Sequence, residues 1–387
     1  MKVLFVTHYP GFGGANQSCL HLARLLRERH GVEPILLAPC AGPIIEEARA
    51  NGIRCDILRY ASWRGPRTGM KSVAFGVMVL ITNVIATVRA AWRYRNEQID
   101  IVHANSSLAF FGWCYGKLTG KPIVWHLREY GVTDYPLNFY YGERFSGIIY
   151  GSSNAVIAIS KDIERFYARF VRPLTRLQIV YNGIDVDLAR RNMKDEDGAL
   201  KDLQGFKIVF VGGINHAKNP FEILPALRLL KKKDWLGDVN LYIIGDGAPE
   251  QVSEFRDCAR RLGVEDHVHL LGFRKNIWPL LSKMDLAIVP SVKEAFGRIA
   301  VECMLCGLPI LASNAGALPE IVDDGETGFL FGLKDPEGLA AHIERIHDDQ
   351  DLRLRLGAMS RHKAETQFSA QLNADRMFDV YQRIKSR

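Results

Sequence analysis

Two glutamates eight residues apart, Glu294 and Glu302 in the stretch Ser291-Val292-Lys293-Glu294-Ala295-Phe296-Gly297-Arg298-Ile299-Ala300-Val301-Glu302, carry the densest chemistry in the chain. They follow the apolar run Asp285-Leu286-Ala287-Ile288-Val289-Pro290. A buried parallel strand over that run delivers Glu294 to its carboxyl end. A helix opening at Phe296-Gly297 then places Glu302 one to two turns inside, on a nearby face. Free amides at a helix N-terminus bind phosphate, and carboxylates hold sugar or ribose hydroxyls. The combination suits a nucleotide-sugar, although the spacing alone also fits an ordinary strand-to-helix turn with two solvated glutamates.

Other polar clusters recur at the ends of apolar runs. Gly11-Phe12-Gly13-Gly14-Ala15-Asn16 follows the first strand and opens a helix. Asn16 stands where the third glycine of a dinucleotide fingerprint belongs, and the second strand ends in Ala38-Pro39-Cys40 with no acidic residue for an adenine ribose. A nicotinamide dehydrogenase is therefore disfavoured, while the glycine turn can still bring amides to a phosphate. His103 and His126, the latter followed by Leu127-Arg128-Glu129, close two consecutive strands. In the second half, the segment from Gly212 through Lys218 offers Lys218 as a point charge for phosphate. Gly245-Asp246-Gly247, Gly272-Phe273-Arg274 and Asn314 to Glu320 complete the set, and the backbone at Gly272-Phe273 would frame a base. Asp185-Val186-Asp187 reads D-x-D but follows the Asn182-Gly183 turn near a linker, so no catalytic metal is expected. Cys303 and Cys306 form a C-x-x-C without a second pair, in an apolar helical stretch, and are expected to pack in a core.

These loops need a scaffold, and the pattern supplies one. Short β-branched runs alternate with helical patterns over the whole length, as in parallel α/β sheets. Strands are expected near 2–7, 33–38, 53–58, 99–103, 122–126, 155–159 and 177–180, then near 206–211, 239–244, 267–270, 285–289, 308–312 and 328–330. At 387 residues the chain suits two domains. We place the first at 1–185, with 368–387 packing back on it, and the second at 186–367, with the polar stretch Arg190 to Gly205 as linker. Two Rossmann-like doubly wound domains would face each other across a cleft at the carboxyl ends of both sheets.

Composition narrows the class. The chain is 48% hydrophobic and 24% charged, with a formal net charge of +7 that favours an acidic or phosphorylated partner. No nucleic-acid recognition motif accompanies that charge. Seven scattered cysteines fit reduced thiols in the cytoplasm. Met1-Lys2 leads into only four apolar residues before His8 and Pro10, so no signal peptide is expected. The segment 59–96 holds seven basic residues (Arg59, Arg64, Arg67, Lys71, Arg89, Arg93, Arg95) and an apolar middle, Val73 to Val88. This run is too short to span a bilayer and contains Thr82, Asn83 and Thr87. Its apolar positions 73, 77, 80, 81, 84, 88 and 91 suggest a helix packed on the first sheet. A basic amphipathic surface in peripheral contact with anionic membrane is the sharper reading.

With these motifs in place, the chain resembles glycosyltransferase family 4, the retaining transferases of the GT-B fold. The resemblance covers nearly all of it: the loop at 11–16, Tyr181 to Asp185, Gly212 to Lys218, and above all Glu294-Ala295-Phe296-Gly297 through Glu302, which matches the family's E-x7-E signature. It implies that Gly13 or Gly14 approaches the donor diphosphate and that His126 faces the transferred sugar. It implies Lys218 on the diphosphate, Glu294 with the Phe296-Gly297 amides on sugar hydroxyls, and Glu302 on the ribose. Members usually carry Arg directly after the glycine that ends the first strand of the second domain, and here that residue is Gly213. Arg298 or Arg128 is expected to supply the missing cation.

The activity implied is transfer of a sugar from a nucleotide-diphosphate donor to a hydroxyl of a glycan or lipid-linked acceptor, with retention and without a cofactor, in cell-envelope polysaccharide, lipopolysaccharide or glycolipid synthesis. Domain closure would exclude water. A nucleotide-sugar epimerase of the same fold and a nonenzymatic nucleotide-sugar-binding partner are the competing readings.

Overall fold

The computed structural model describes residues 1–11, 13–65, 69–131, 138–194, 203–233 and 235–386. It divides into unit 1, Met1–Gly183 with Ala370–Arg387, and unit 2, Ile184–Ser369. Of the segment read as a linker, 195–202 lies outside the described residues, as do Phe12 of the first glycine loop and Arg67.

Unit 1 runs β1 (Lys2–Val6), α1 (Gly14–His30), β2 (Glu33–Ala38), α2 (Pro43–Ala50), β3 (Arg54–Ile57), β4 (Arg64–Gly65) and α3 (Gly69–Arg93). It continues through β5 (Ile101–Ala104), α4 (Phe110–Thr119), β6 (Ile123–Leu127), β7 (Asn138–Phe139), α5 (Gly142–Gly151), β8 (Ala155–Ala158), α6 (Lys161–Ala168) and β9 (Leu177–Ile179). Seven strands form a parallel sheet in the order β3-β2-β1-β5-β6-β8-β9, and β4 pairs antiparallel with β7. The order reverses beside β1, which puts the loops after β1 and β5 at a switch point, the usual place for a ligand in such sheets.

Unit 2 opens with α7 (Val186–Asn192), β10 (Phe206–Val211), α8 (Ile223–Lys232), β11 (Val239–Ile244), α9 (Pro249–Leu262), β12 (Val268–Gly272), α10 (Trp278–Leu281) and β13 (Leu286–Val289). It closes with α11 (Arg298–Leu305), β14 (Ile310–Ser313), α12 (Leu318–Ile321), β15 (Gly328–Phe331), α13 (Pro336–Asp348) and α14 (Gln350–Gln367). Its parallel sheet has the order β12-β11-β10-β13-β14-β15, a second doubly wound arrangement. The final helix, α15 (Ala370–Lys385), belongs to unit 1, where Ala374, Met377, Val380 and Tyr381 join the core beneath α1 and β1. All thirteen strands expected from apolar runs are present. The central strands β5, β6, β13 and β14 were legible because strands buried on both faces read as continuous apolar stretches.

Helix α3 departs from expectation in length and in facing. It runs 25 residues, and its Ala74–Arg93 segment is long and apolar enough to cross a membrane, so length does not exclude a span. The stripe read as packing inward points outward: Val77, Leu80, Ile81, Val84 and Val88 are between 43% and 58% exposed, and Ile85 and Trp92 are exposed beside them. The inward face instead carries Val79, Asn83, Ala86, Thr87 and Ala90. Asn83 is fully buried, donating to Ala61 O at 3.0 Å and Val79 O at 2.8 Å. Buried polar groups must be hydrogen-bonded, so the amide of Asn83 pins this face to the connection between β3 and β4 at Ala61. Arg64 is also not part of a surface patch. It is buried, donates to Ser107 Oγ and Tyr130 O, and stacks 3.8 Å from the Phe139 ring. Arg89 and Arg95 remain exposed beside the apolar stripe.

Candidate functional site

In unit 2 the loops after β10 and β13 are stitched side by side. Val292 N–H donates to Ala217 O at 3.0 Å, fixing the Lys218 loop against the Glu294 loop. Asn215 Oδ1 accepts from Lys218 N–H at 3.0 Å and holds that turn closed. The result brings Lys218 Nζ to 2.5 Å from Glu294 Oε1, which also accepts from Ser291 Oγ at 2.8 Å. Both glutamate side chains are largely buried, each 11% exposed.

The following turn depends on two glycines. Gly297 caps α11 at φ +88, and a Cβ there would lie 2.9 Å from Leu318 Cδ2. Gly316, at φ +58, passes so close beneath Glu294 that a Cβ would sit 2.4 Å from Glu294 O and 2.6 Å from its N. Only glycine combines that backbone conformation with that approach. Ala317 N–H then donates to Glu294 O at 2.9 Å, so the Asn314–Glu320 loop is the floor that orients Glu294. Phe296 is buried against Phe368, with ring centroids 5.8 Å apart, and offers its backbone only.

One turn on, Arg298 Nε donates to Glu302 Oε1 at 2.8 Å. Arg298 Nη1 is buried without a hydrogen-bond partner. An unpartnered buried guanidinium nitrogen is costly and fits a site built for an anion. Lys218, Glu294, Arg298 and Glu302 are thus assembled as alternating charges around the start of α11. Gly272, at φ +70, is joined to the neighbouring strand ends through Gly245 N–H to Gly272 O at 2.9 Å, while the Phe273 side chain is exposed. At Gly213 a Cβ would lie 2.7 Å from Asn215 Nδ2, so the room a side chain there would use is occupied by the residue that closes the Lys218 turn.

Unit 1 assembles a second polar group. Gly13 caps α1 and its N–H donates to the Tyr9 hydroxyl at 3.1 Å, while a Cβ on Gly13 would fall 2.3 Å from that oxygen. A Cβ on Gly14 meets nothing within 4 Å. Asn16 Nδ2 closes the loop on Gly11 O at 2.6 Å. Asn105 Nδ2 reaches Ala15 O at 3.3 Å and its Oδ1 accepts from Arg128 Nε at 2.6 Å. Arg128 also donates to Asn182 Oδ1 at 2.6 Å and lies 3.3 Å from His126 Nδ1. Arg128 is buried, and three of its nitrogens already face neighbours in unit 1. His126 and His103 are fully buried, and burial first, then the Arg128 charge, holds both imidazoles well below the usual histidine range. Both are neutral.

The remaining candidates are structural. Asp185 accepts from Leu188 N–H at 2.9 Å as the cap of α7. Among the described residues no group of three or more His, Cys, Asp or Glu is placed to hold a metal ion. Cys303 and Cys306 are buried thiols in and beside α11, and burial pushes Cys306 up to about 12. Sequence reasoning missed Ser291, Tyr9 and Tyr381 as partners of site residues. Ser291 was three residues from Glu294, a local signal, whereas nothing local points from Tyr381 to the histidines.

Comparison with known proteins bears on this arrangement. A model of Glycosyltransferase Family 4 matches residues 12–188, and one of Glycosyl transferases group 1 matches residues 193–363. N-acetyl-alpha-D-glucosaminyl L-malate synthase of Bacillus anthracis is 27% identical over 234 residues, 59% of each chain. D-inositol 3-phosphate glycosyltransferase of Corynebacterium kroppenstedtii is 31% identical over 220 residues, 53% of this chain and 48% of that one. The chain therefore matches about half to three-fifths of the length of these curated relatives. Among solved structures, Anabaena HepE in complex with UDP superposes with a TM-score of 0.83 at 21% identity, covering 99% of this chain and all of that one. HepE has also been solved with UDP-glucose. At that identity the likeness shows the fold, the GT-B class of two parallel-sheet α/β domains.

Proposed function

The chain belongs to glycosyltransferase family 4, and on that premise we propose that it moves a sugar from a nucleotide-diphosphate donor to an acceptor hydroxyl with retention at the anomeric carbon. The observation that carries this reading is the charge arrangement at the start of α11. Lys218 and Arg298 are each paired with a carboxylate, and Arg298 Nη1 has no hydrogen-bond partner. A diphosphate entering there takes Lys218 and Arg298 as counter-charges. Glu294 and Glu302 are then released to accept hydrogen bonds from sugar and ribose hydroxyls. Cations already fixed where charge develops on the leaving group lower the barrier without reorganising during the reaction.

In the reaction the bond between the anomeric carbon and the diphosphate oxygen breaks, and the acceptor oxygen bonds to that carbon from the same face. The acceptor proton leaves with the departing phosphate. Retention rests on the family resemblance. Positive charge comes from the protein, with no catalytic metal. Uridine is the first donor nucleotide to test, because HepE was solved with UDP and UDP-glucose.

The acceptor in this proposal is lipid-linked, held at the inner face of an anionic membrane during cell-envelope glycan synthesis. Support comes from α3, whose outward stripe of large apolar side chains ends at Trp92, with Arg95 stacked 4.5 Å from its ring and Arg89 exposed beside it. An apolar stripe edged by basic residues suits the headgroup boundary of an anionic bilayer. Flotation with anionic and with zwitterionic vesicles at low and high salt tests it, and recovery with neither vesicle sinks it.

Incubation of the chain with UDP-, GDP- and ADP-sugars, with and without a polyprenyl- or glycolipid acceptor, tests the activity. Acceptor-dependent release of nucleoside diphosphate with an unchanged anomeric configuration in the product is expected. Conversion of the donor alone would instead mark an epimerase, and binding without turnover a nonenzymatic partner.

A further inference from the structure

His126 holds an unused hydrogen-bond donor, and its neighbours determine which nitrogen carries it. The ring closes β6, fully buried, with Nδ1 3.1 Å from His103 Nε2 and 3.3 Å from Arg128 Nη2. A guanidinium can only donate, so His126 Nδ1 accepts. A neutral imidazole with an accepting Nδ1 carries its proton on Nε2. His126 Nε2 is buried and has no hydrogen-bond partner.

The same logic runs one residue further back. His103 Nε2 faces an acceptor and therefore carries the proton of that ring, leaving His103 Nδ1 to accept. The Tyr381 hydroxyl lies 2.6 Å from it and donates. Reversing the chain would set a His126 N–H against the guanidinium and turn the buried Tyr381 O–H away from its neighbouring acceptor. Every link then favours one direction: Tyr381 O–H to His103 Nδ1, His103 Nε2–H to His126 Nδ1, and His126 Nε2–H outward. Phe5 packs on the His103 ring with centroids 4.8 Å apart, and α15 carries Tyr381 into the core of unit 1. The rings have no freedom to flip without vacating that packing.

We infer that Tyr381 and His103 are positioning residues that hold His126 in its Nε2–H form, as a fixed hydrogen-bond donor to an oxygen of the transferred sugar. The inference deepens the transferase reading and rests on it for the identity of the ligand. The tautomer assignment stands on the hydrogen-bond geometry around two rings whose burial favours the neutral form. His126 moves no proton. It donates one hydrogen bond, and the last helix of the chain decides that it can. A mutation 255 positions from His126 in the chain would thus change how the sugar is held.

Long-range proton–nitrogen correlation spectra of the full chain labelled with ¹⁵N-histidine test this, with His103→Gln and His126→Gln used to assign signals. In the wild type both rings should show a pyridine-like Nδ1 and a pyrrole-like Nε2 from pH 6 to 8. Tyr381→Phe should shift His103 toward a mixture of tautomers. With donor and acceptor it should lower transfer about tenfold, the order expected for one misdirected hydrogen bond, while affinity for the nucleoside diphosphate without sugar stays unchanged. A wild-type spectrum with the proton on Nδ1 of His126, or with both nitrogens protonated, overturns the inference whether or not Tyr381→Phe folds. Unchanged tautomers and unchanged transfer in a folded Tyr381→Phe variant overturn it too. The expected spectrum together with no transfer from any donor would refute the transferase reading and leave the tautomer assignment standing.

Discussion

Lys218 Nζ and Glu294 Oε1 meet at 2.5 Å although 76 positions separate them in the chain. Each belongs to the loop beyond a different strand of one sheet, and the hydrogen bond from Val292 N–H to Ala217 O keeps those loops in register. In the proposed donor site the pair would open when a diphosphate takes Lys218, leaving Glu294 to a sugar hydroxyl.

Replacing one member should therefore not mimic replacing the other. Lys218→Ala should cut kcat/KM by about 10²-fold or more through loss of leaving-group stabilisation, with nucleoside diphosphate affinity falling as well. Glu294→Gln should cut turnover comparably while nucleoside diphosphate affinity changes little, because its proposed partner is the sugar. Steady-state kinetics with calorimetric titration of the diphosphate separates the two outcomes.

Arg298 and Arg128 should also divide cleanly. Arg298 has a buried, unpartnered Nη1 beside Glu302, so Arg298→Ala should weaken binding of a nucleoside diphosphate more than of the nucleoside, by about tenfold. Arg128 is spread over Asn105, Asn182 and His126. Arg128→Ala should lower the melting temperature and slow transfer without a selective loss of diphosphate affinity. Equal, diphosphate-selective losses in both variants would assign Arg128 to the anion.

Gly14 separates stability from binding. A Cβ there meets nothing within 4 Å, and Gly14 is the first residue of α1. Gly14→Ala should leave the melting temperature unchanged or raise it, since alanine is the better helix former. If a diphosphate approaches that backbone, the donor KM should rise all the same. A stable variant with an unaltered KM would remove Gly14 from the site.

Gly213 stands where the family resemblance implies an arginine. Because Asn215 Nδ2 would sit 2.7 Å from a Cβ at 213, Gly213→Arg alone should disturb the Lys218 turn and reduce turnover. Pairing it with Asn215→Ser, which frees room and keeps a hydroxyl acceptor for Lys218 N–H, should recover or exceed wild-type donor affinity. Kinetics of the two variants side by side checks this.

The buried histidines set a pH dependence of folding. In the unfolded chain His103 and His126 bind protons below about pH 6.5, whereas in the folded chain burial keeps both neutral to well below that. Below pH 6.5 the unfolded state then holds more protons, so stability falls as pH falls, by up to about 1.4 kcal/mol per unit for each ring. Denaturant titrations between pH 7.5 and 5.5 should show the slope, and His126→Gln should flatten it by up to one ring's share.

Much of this arrangement was legible before the structure. The central parallel strands were, because burial on both faces makes them continuous apolar runs, and the Glu294–Glu302 turn was, because strand, glycine and helix follow one another locally. The two-residue ribbon of β4 with β7 was not, being too short to show a period. The facing of α3 was read inverted: apolar spacing alone cannot say which side meets protein, and a single buried amide, that of Asn83, decides it. Tyr381 was invisible for a different reason. Its partner His103 lies 278 positions away, and only the return of α15 to unit 1 brings the two within 2.6 Å.

The central claim is that the start of α11 is a donor site for a nucleotide-diphosphate sugar. Calorimetric titration of the full chain with UDP-, GDP- and ADP-sugars, repeated with Lys218→Ala and Glu302→Gln, tests it most directly. Saturable binding of one donor class at one site per chain is expected, weakened at least tenfold by either substitution. Binding of none of them by the folded wild-type chain, or binding that both substitutions leave intact, would contradict it.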